Sequence, residues 1–108
     1  MNETEFIERS ESALATIVRA VEASAVECDC ELKGSAVLEL EFENGSRIIV
    51  NGHGAAQEIW VAAKSGGYHF RFDGARWVNT RDGEELFASL SRQISEQAGS
   101  PVLLSDRT

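Results

Sequence analysis

The sequence predicts an α+β fold: a two-layer αβ sandwich, with N- and C-terminal helices on one face of an antiparallel sheet of about six strands. Three observations predict it. Both ends of the chain carry apolar residues at helical spacing. The stretch between them alternates with period two, and its connections are short and glycine-rich. Short hairpins make the sheet a meander, and two amphipathic helices can cover only one of its faces. The chain has 108 residues with no repeat, low-complexity segment or composition shift. Residues 1–108 are therefore expected to form one domain that needs neither disulfide nor structural metal to fold.

The first helix is expected from Glu3 to about Ala23. Phe6, Leu14, Ile17 and Val21 share a face with Ser10 and Ala13, and Asn2 with Glu5 makes a capping box. The opposite stripe holds Glu8, Glu11, Ala15, Arg19 and Glu22. Strict alternation from Val26 to Leu32 gives the first strand, and Lys33-Gly34-Ser35 turns the chain into a second strand carrying Leu38, Leu40 and Phe42. Asn44-Gly45 is a strong hairpin signal. A three-residue loop with a glycine bulge is expected to pair Phe42 with Ile48 and Leu40 with Val50, which keeps apolar with apolar. The third strand is Arg47–Asn51, followed by a loop through His53. The fourth is Glu58–Ala63, the fifth Tyr68–Phe72 and the sixth Arg76–Val78. Asp82 is read as the N-cap of the second helix with Glu85 at its third position. Leu86, Phe87, Leu90, Ile94 and Ala98 form its apolar face, and Gly99 with Pro101 ends it. The tail Val102-Leu103-Leu104 is apolar enough to dock on the body.

Eighteen acids against ten Lys and Arg give a net charge of −8. Phosphate backbones and anionic membranes need clustered Lys and Arg, so nucleic acid and membrane are excluded as partners. The acidity suits a basic protein or cations. No stretch is apolar enough to span a bilayer, and the acidic start resembles no signal or transit peptide, so a cytoplasmic location is expected. Cys28 and Cys30 lie two apart on one strand face, about 6.5–7 Å between side chains, too far for a disulfide. They are expected as two small apolar groups.

Strand parity places Glu27, Asp29, Glu31, Glu39, Glu41, Arg47, Ile49, Asn51, Trp60, His69 and Arg71 on the uncovered face. Two features exceed ordinary surface composition. Asp29 is expected opposite Glu41 and Glu31 opposite Glu39, and like charges facing each other leave a field that a cation or basic partner relieves. Carboxylates without His or Cys suit hard cations, held weakly at about micromolar strength because the sites are open. Glu8, Glu11 and Glu22 join this set if the first helix crosses the strand-one edge. Trp60 is expected to point outward as a contact residue, with Arg71 opposite and stacked on it. His69 and His53 are expected as solvated bystanders. No nucleophile–base spacing is visible, and no catalytic residue is assigned.

These residues resemble the frataxin family, in its bacterial CyaY type. The resemblance rests on Phe42-Glu43-Asn44-Gly45-Ser46-Arg47-Ile48-Ile49-Val50-Asn51, Ile59-Trp60-Val61-Ala62, Gly66-Gly67-Tyr68-His69-Phe70, Trp77 and Arg81-Asp82-Gly83-Glu84, in order from Glu5 to Gly99. It implies a role in iron–sulfur cluster assembly. It implies ferrous and ferric iron held weakly at the surface by Glu8, Glu11, Glu22, Glu27, Asp29 and Glu31. It also implies contacts with a cysteine desulfurase through Glu27, Asp29 and Glu31, and with the assembly machinery, which includes the iron–sulfur scaffold, in part through the sheet face of Trp60, Asn51 and Arg71. The bacterial type regulates the desulfurase and is a candidate iron donor. Val18-Arg19 stand where the family has consecutive acids, which implies reduced iron capacity. Glu39 and Glu41, where the family often has Thr, are expected to shift the cation site toward strands one and two. A monomeric, non-enzymatic iron-binding regulator is the leading reading. A ferroxidase or iron-storage protein, which needs rigid paired irons, and an acidic adaptor without metal are the alternatives.

Overall fold

The computed structural model describes residues 1–105. Its elements run α1 (Glu3–Ala23), β1 (Cys28–Lys33), β2 (Val37–Phe42), β3 (Arg47–His53), β4 (Glu58–Ala63), β5 (Gly66–Phe72), β6 (Trp77–Asn79) and α2 (Leu86–Ala98). The six strands form one antiparallel meander in sequence order, with β1 and β6 at its edges. Both helices cover the same face.

α1 begins where Asn2 Oδ1 accepts the Glu5 N–H at 2.7 Å. The capping box is half realised: the Glu5 carboxylate turns along the helix to Arg9, 3.5 Å away. Phe6, Ser10, Ala13, Leu14, Ile17, Ala20 and Val21 are buried. They meet the inner row of the sheet, where Leu38, Leu40, Ile48, Val50, Ile59, Val61 and Phe70 are closed to water. Ala98 and Val102 pack partly against this core, and Leu104 is buried in it.

α2 starts later than its sequence suggests. Glu85 is the N-cap, accepting the Phe87 and Ala88 N–H groups, while Asp82 accepts the Glu84 N–H within the preceding turn. A carboxylate at the cap complements the helix N-terminus as Asp would. Gly99, at φ 75°, ends the helix in the left-handed conformation that glycine takes without strain.

Two registers differ from expectation, each by two residues. Between β2 and β3, Glu43-Asn44-Gly45 close the loop with Gly45 at φ 86°. The Phe42 N–H therefore donates to the Ser46 carbonyl while the Phe42 carbonyl accepts from the Gly45 N–H, and Leu40 pairs with Ile48 and Leu38 with Val50. The shift of two residues preserves parity, so the faces are as expected. Between β4 and β5, Ala63 pairs directly with Gly66, leaving only Lys64 and Ser65 in the turn. Trp60 then lies opposite His69, and Arg71 opposite Glu58.

Strand ends also move. β3 runs on through Gly52 and His53, so His53 belongs to the sheet and not to a loop. Gly52 is the point where β3 passes closest to α1: a side-chain carbon there would stand 3.4 Å from Ser10 Oγ. β1 starts at Cys28, which leaves Val26 and Glu27 just before the strand.

Buried Gln97 ties the sheet ends to α2. Its amide nitrogen donates to Ser46 Oγ and the Arg47 carbonyl, its oxygen accepts the Lys64 N–H, and its backbone carbonyl accepts from Asn44. This anchoring fixes the β2–β3 turn beside the acidic edge.

Candidate functional site

The uncovered sheet face carries two distinct features. The first is a double row of carboxylates on β1 and β2. Asp29 lies opposite Glu41 and Glu31 opposite Glu39, as the alternation dictates. The row continues past the strand end, where Glu27 and Glu43 meet. Hydrogen bonding to Glu27, with its negative charge, holds Glu43 above the ordinary glutamate range.

The row is unequally compensated. Lys33 Nζ reaches Glu39 at 3.1 Å, and Arg47 bridges Glu39 and Glu41 at 3.6 Å each. The Lys33 hydrogen bond pulls Glu39 below the usual carboxylate range. Among the described residues, no Lys or Arg lies within ion-pair distance of Glu27, Asp29, Glu31 or Glu43. Negative charge therefore concentrates at the end of the row next to the β2–β3 turn. There Glu27, Asp29, Glu41 and Glu43 line one shallow depression. All of these acids reach water, so cations arriving there keep most of their hydration.

The helix acids do not join this row. Glu8 lines a groove between α1 and the β5–β6 corner, where Arg9 lies 4.5 Å over the Phe72 ring. Glu11 accepts the Ser35 hydroxyl at 2.9 Å. Glu22 stands near Cys30, on the other side of β1 from Asp29. Among the described residues, no three His, Cys, Asp or Glu side chains gather closely enough to enclose a metal ion.

The repelling pair yields a prediction. The folded state favours a proton on Glu43, so stability falls as the pH rises through its titration range. Glu43→Gln is expected to raise the melting temperature at pH 7, with the gain shrinking toward pH 4. Thermal scans at the two pH values check this, and equal melting temperatures at pH 7 contradict it.

The second feature is a stack of three rings across β3, β4 and β5. Trp60 lies between His53, at 3.9 Å between ring centres and 12° between planes, and His69, at 4.5 Å and 9°. His69 faces Trp60 directly across the ladder, and His53 reaches it diagonally from its position opposite Glu58. The Trp60 indole N–H donates to Glu58 Oε1 at 2.8 Å, and His69 Nδ1 lies 3.5 Å from the same oxygen. His53 Nδ1 accepts the Ala56 N–H at 3.2 Å, which ties the ring to the β3–β4 turn. Trp60 is thus a half-buried ring held upright from both sides. Asn51 lies opposite it on β3, and Arg71 is one ladder step away, opposite Glu58. The expected Arg71–Trp60 stack does not form, because the two-residue turn puts His69 in that place.

Sequence reasoning missed Glu43, Glu58, His53 and His69. Glu43 is legible once β1 and β2 are paired, since it extends the row by one rung. The histidines become legible only when Lys64-Ser65 is taken as the whole turn, which sets His69 beside Trp60.

This combination of acidic edge and clamped tryptophan sits on a sequence whose residues 1–100 match the family model described as a frataxin-like domain. The chain belongs to the frataxin-like family. It is 50% identical over 111 residues to the iron-sulfur cluster assembly protein CyaY of Janthinobacterium sp. (strain Marseille), covering 98% of each chain. Among solved structures, the frataxin of Psychromonas ingrahamii superposes with a TM-score of 0.89 at 30% identity, covering 97% of this chain and 99% of that one. A trimeric frataxin from the yeast Saccharomyces cerevisiae, complexed with ferrous iron, matches with a TM-score of 0.64 at 25% identity, over 91% of this chain and 86% of that one. The frataxin-like fold of two helices on a six-stranded antiparallel sheet is common to them. Among the described residues, no helix is long and apolar enough to cross a membrane.

Proposed function

We propose that this frataxin-like protein acts in iron–sulfur cluster assembly, as a non-enzymatic, cytoplasmic, monomeric regulator that binds iron. Ferrous and ferric ions are held weakly at the surface by Glu27, Asp29, Glu41 and Glu43. The same edge, with Glu31, docks a cysteine desulfurase, and the Trp60 face with Asn51 and Arg71 meets the scaffold protein. Iron delivery to the scaffold follows if both surfaces are engaged together. The observation that carries this reading is the end of the carboxylate row, where Glu27, Asp29 and Glu43 carry no ion pair and Glu41 shares only Arg47. Carboxylate oxygens favour hard cations, and an open site gives fast exchange. The name of the Janthinobacterium relative and the ferrous complex of the yeast frataxin support the assignment.

The desulfurase contact is expected to be electrostatic. Exposed charges are screened over about 8–10 Å at physiological ionic strength. Affinity measured by calorimetry is therefore expected to fall at least about tenfold between 50 and 500 mM salt, mostly through slower association. Salt-insensitive binding contradicts docking through the acidic edge.

A further inference from the structure

Cys28 and Cys30 are not carboxylates of the acidic edge, although Cys28 also lines the depression formed by Glu27, Asp29, Glu41 and Glu43. The two cysteines lie on the opposite face of β1 from Asp29 and Glu31, half-buried and packed against the core beneath α1. Both are free thiols. Their register partners, Phe42 and Leu40, are buried, so each thiol has an apolar neighbour across the ladder and an open side at the sheet edge.

Residues two apart on a strand carry side chains about 6.5–7 Å apart with parallel directions. A disulfide requires Cβ atoms about 3.5–4.5 Å apart, so the pair cannot close without moving the backbone. A bridging ion has a different requirement. Two metal–thiolate bonds of about 2.3 Å in line place the sulfurs about 4.6 Å apart. Rotation about χ1 brings the two sulfurs toward that separation while the backbone stays in the ladder. The spacing that forbids a sulfur–sulfur bond thus accommodates one ion between the sulfurs.

The surroundings narrow the choice of ion. Zinc needs four ligands, and no third metal-binding side chain joins the pair in the described structure. Hard cations find better partners in the carboxylates on the other face. A soft monovalent ion content with two thiolates fits the site. We propose that Cys28 and Cys30 form a two-coordinate Cu(I) site on the side of β1 opposite the Asp29 and Glu31 carboxylates. Binding displaces both thiol protons to solvent and leaves two copper–sulfur bonds.

The test is anaerobic titration of the reduced full chain with Cu(I) in competition with a chromogenic Cu(I) chelator, with stoichiometry from native mass spectrometry. One Cu(I) per monomer is expected. Cys28→Ser and Cys30→Ser, and the corresponding alanine variants, are each expected to lose at least about 100-fold in affinity, because one thiolate cannot form the bridge. Circular dichroism confirms which variants are folded, and the alanine pair covers a serine that destabilises the half-buried site. A single variant binding as tightly as wild type, two ions per chain, or a copper-linked dimer overturns the proposal.

Discussion

Changing Glu27, Asp29 and Glu31 together to lysine is expected to abolish capture of a cysteine desulfurase, weakening it at least about 100-fold at low salt. Each change removes a carboxylate and places an ammonium group in the same spot. All three positions are exposed, and none carries an ion pair among the described residues. The cost therefore falls on the partner surface and not on the fold. Cross-strand repulsion on the Asp29–Glu41 and Glu31–Glu39 rungs also becomes attraction, so the variant should melt no lower than wild type. A pull-down with both proteins, paired with thermal melting, checks both halves. Undiminished capture means that the desulfurase docks elsewhere.

Trp60→Ala should produce a different failure. The indole is the largest side chain on the uncovered face near the centre of the sheet, and His53 and His69 hold it in one orientation. A rigid aromatic anchor at an interface centre contributes about 2–4 kcal/mol, so scaffold binding should weaken about 30- to 1000-fold. Desulfurase capture through the acidic edge should persist. His53→Ala combined with His69→Ala keeps the indole but frees it, and a smaller loss of about tenfold is expected from the entropy of ordering it again on binding. The flanking histidines also shape Trp60 emission, so the double variant should change tryptophan fluorescence while the buried Trp77 provides an unchanged background. Equal scaffold affinity of Trp60→Ala and wild type contradicts the assignment of this face.

Element order, both helix faces and the partition of every strand into a covered and an uncovered side were legible in the sequence. Those features depend on periodicity, which Ser10 on α1 barely interrupts; the buried Ser89, Ser91, Gln93 and Gln97 of α2 were not legible from it. The Asp29–Glu41 and Glu31–Glu39 oppositions followed from one correctly read turn. Other registers were less legible, because turn length is decided by which glycines the ladder absorbs. Gly66 and Gly67 belong to β5, and Gly52 to β3, although each looks like loop punctuation. The error at Gly66 hid the histidine stack.

Compensation along the acidic row was harder still to foresee. Arg47 could be placed on the same face by parity. Its bridging of Glu39 and Glu41, however, depends on the β2–β3 register that sets it opposite Glu41. The β1–β2 hairpin likewise brings Lys33 back over Glu39. Glu39 and Glu41 were expected to carry the cation site, but Glu39 is occupied by both cations. Glu43, treated as part of a turn, contributes to the uncompensated end instead.

Anaerobic titration with Fe²⁺, followed residue by residue in ¹H–¹⁵N spectra, tests most directly where the ion settles. Paramagnetic broadening is expected to spread first from residues 27–31 and 41–45, with the helix-one amides around Glu8 and Glu11 affected later. Broadening that begins at Glu8 and Glu11 or around His53 and His69, or none at millimolar iron, would contradict the acidic strand edge as the iron site.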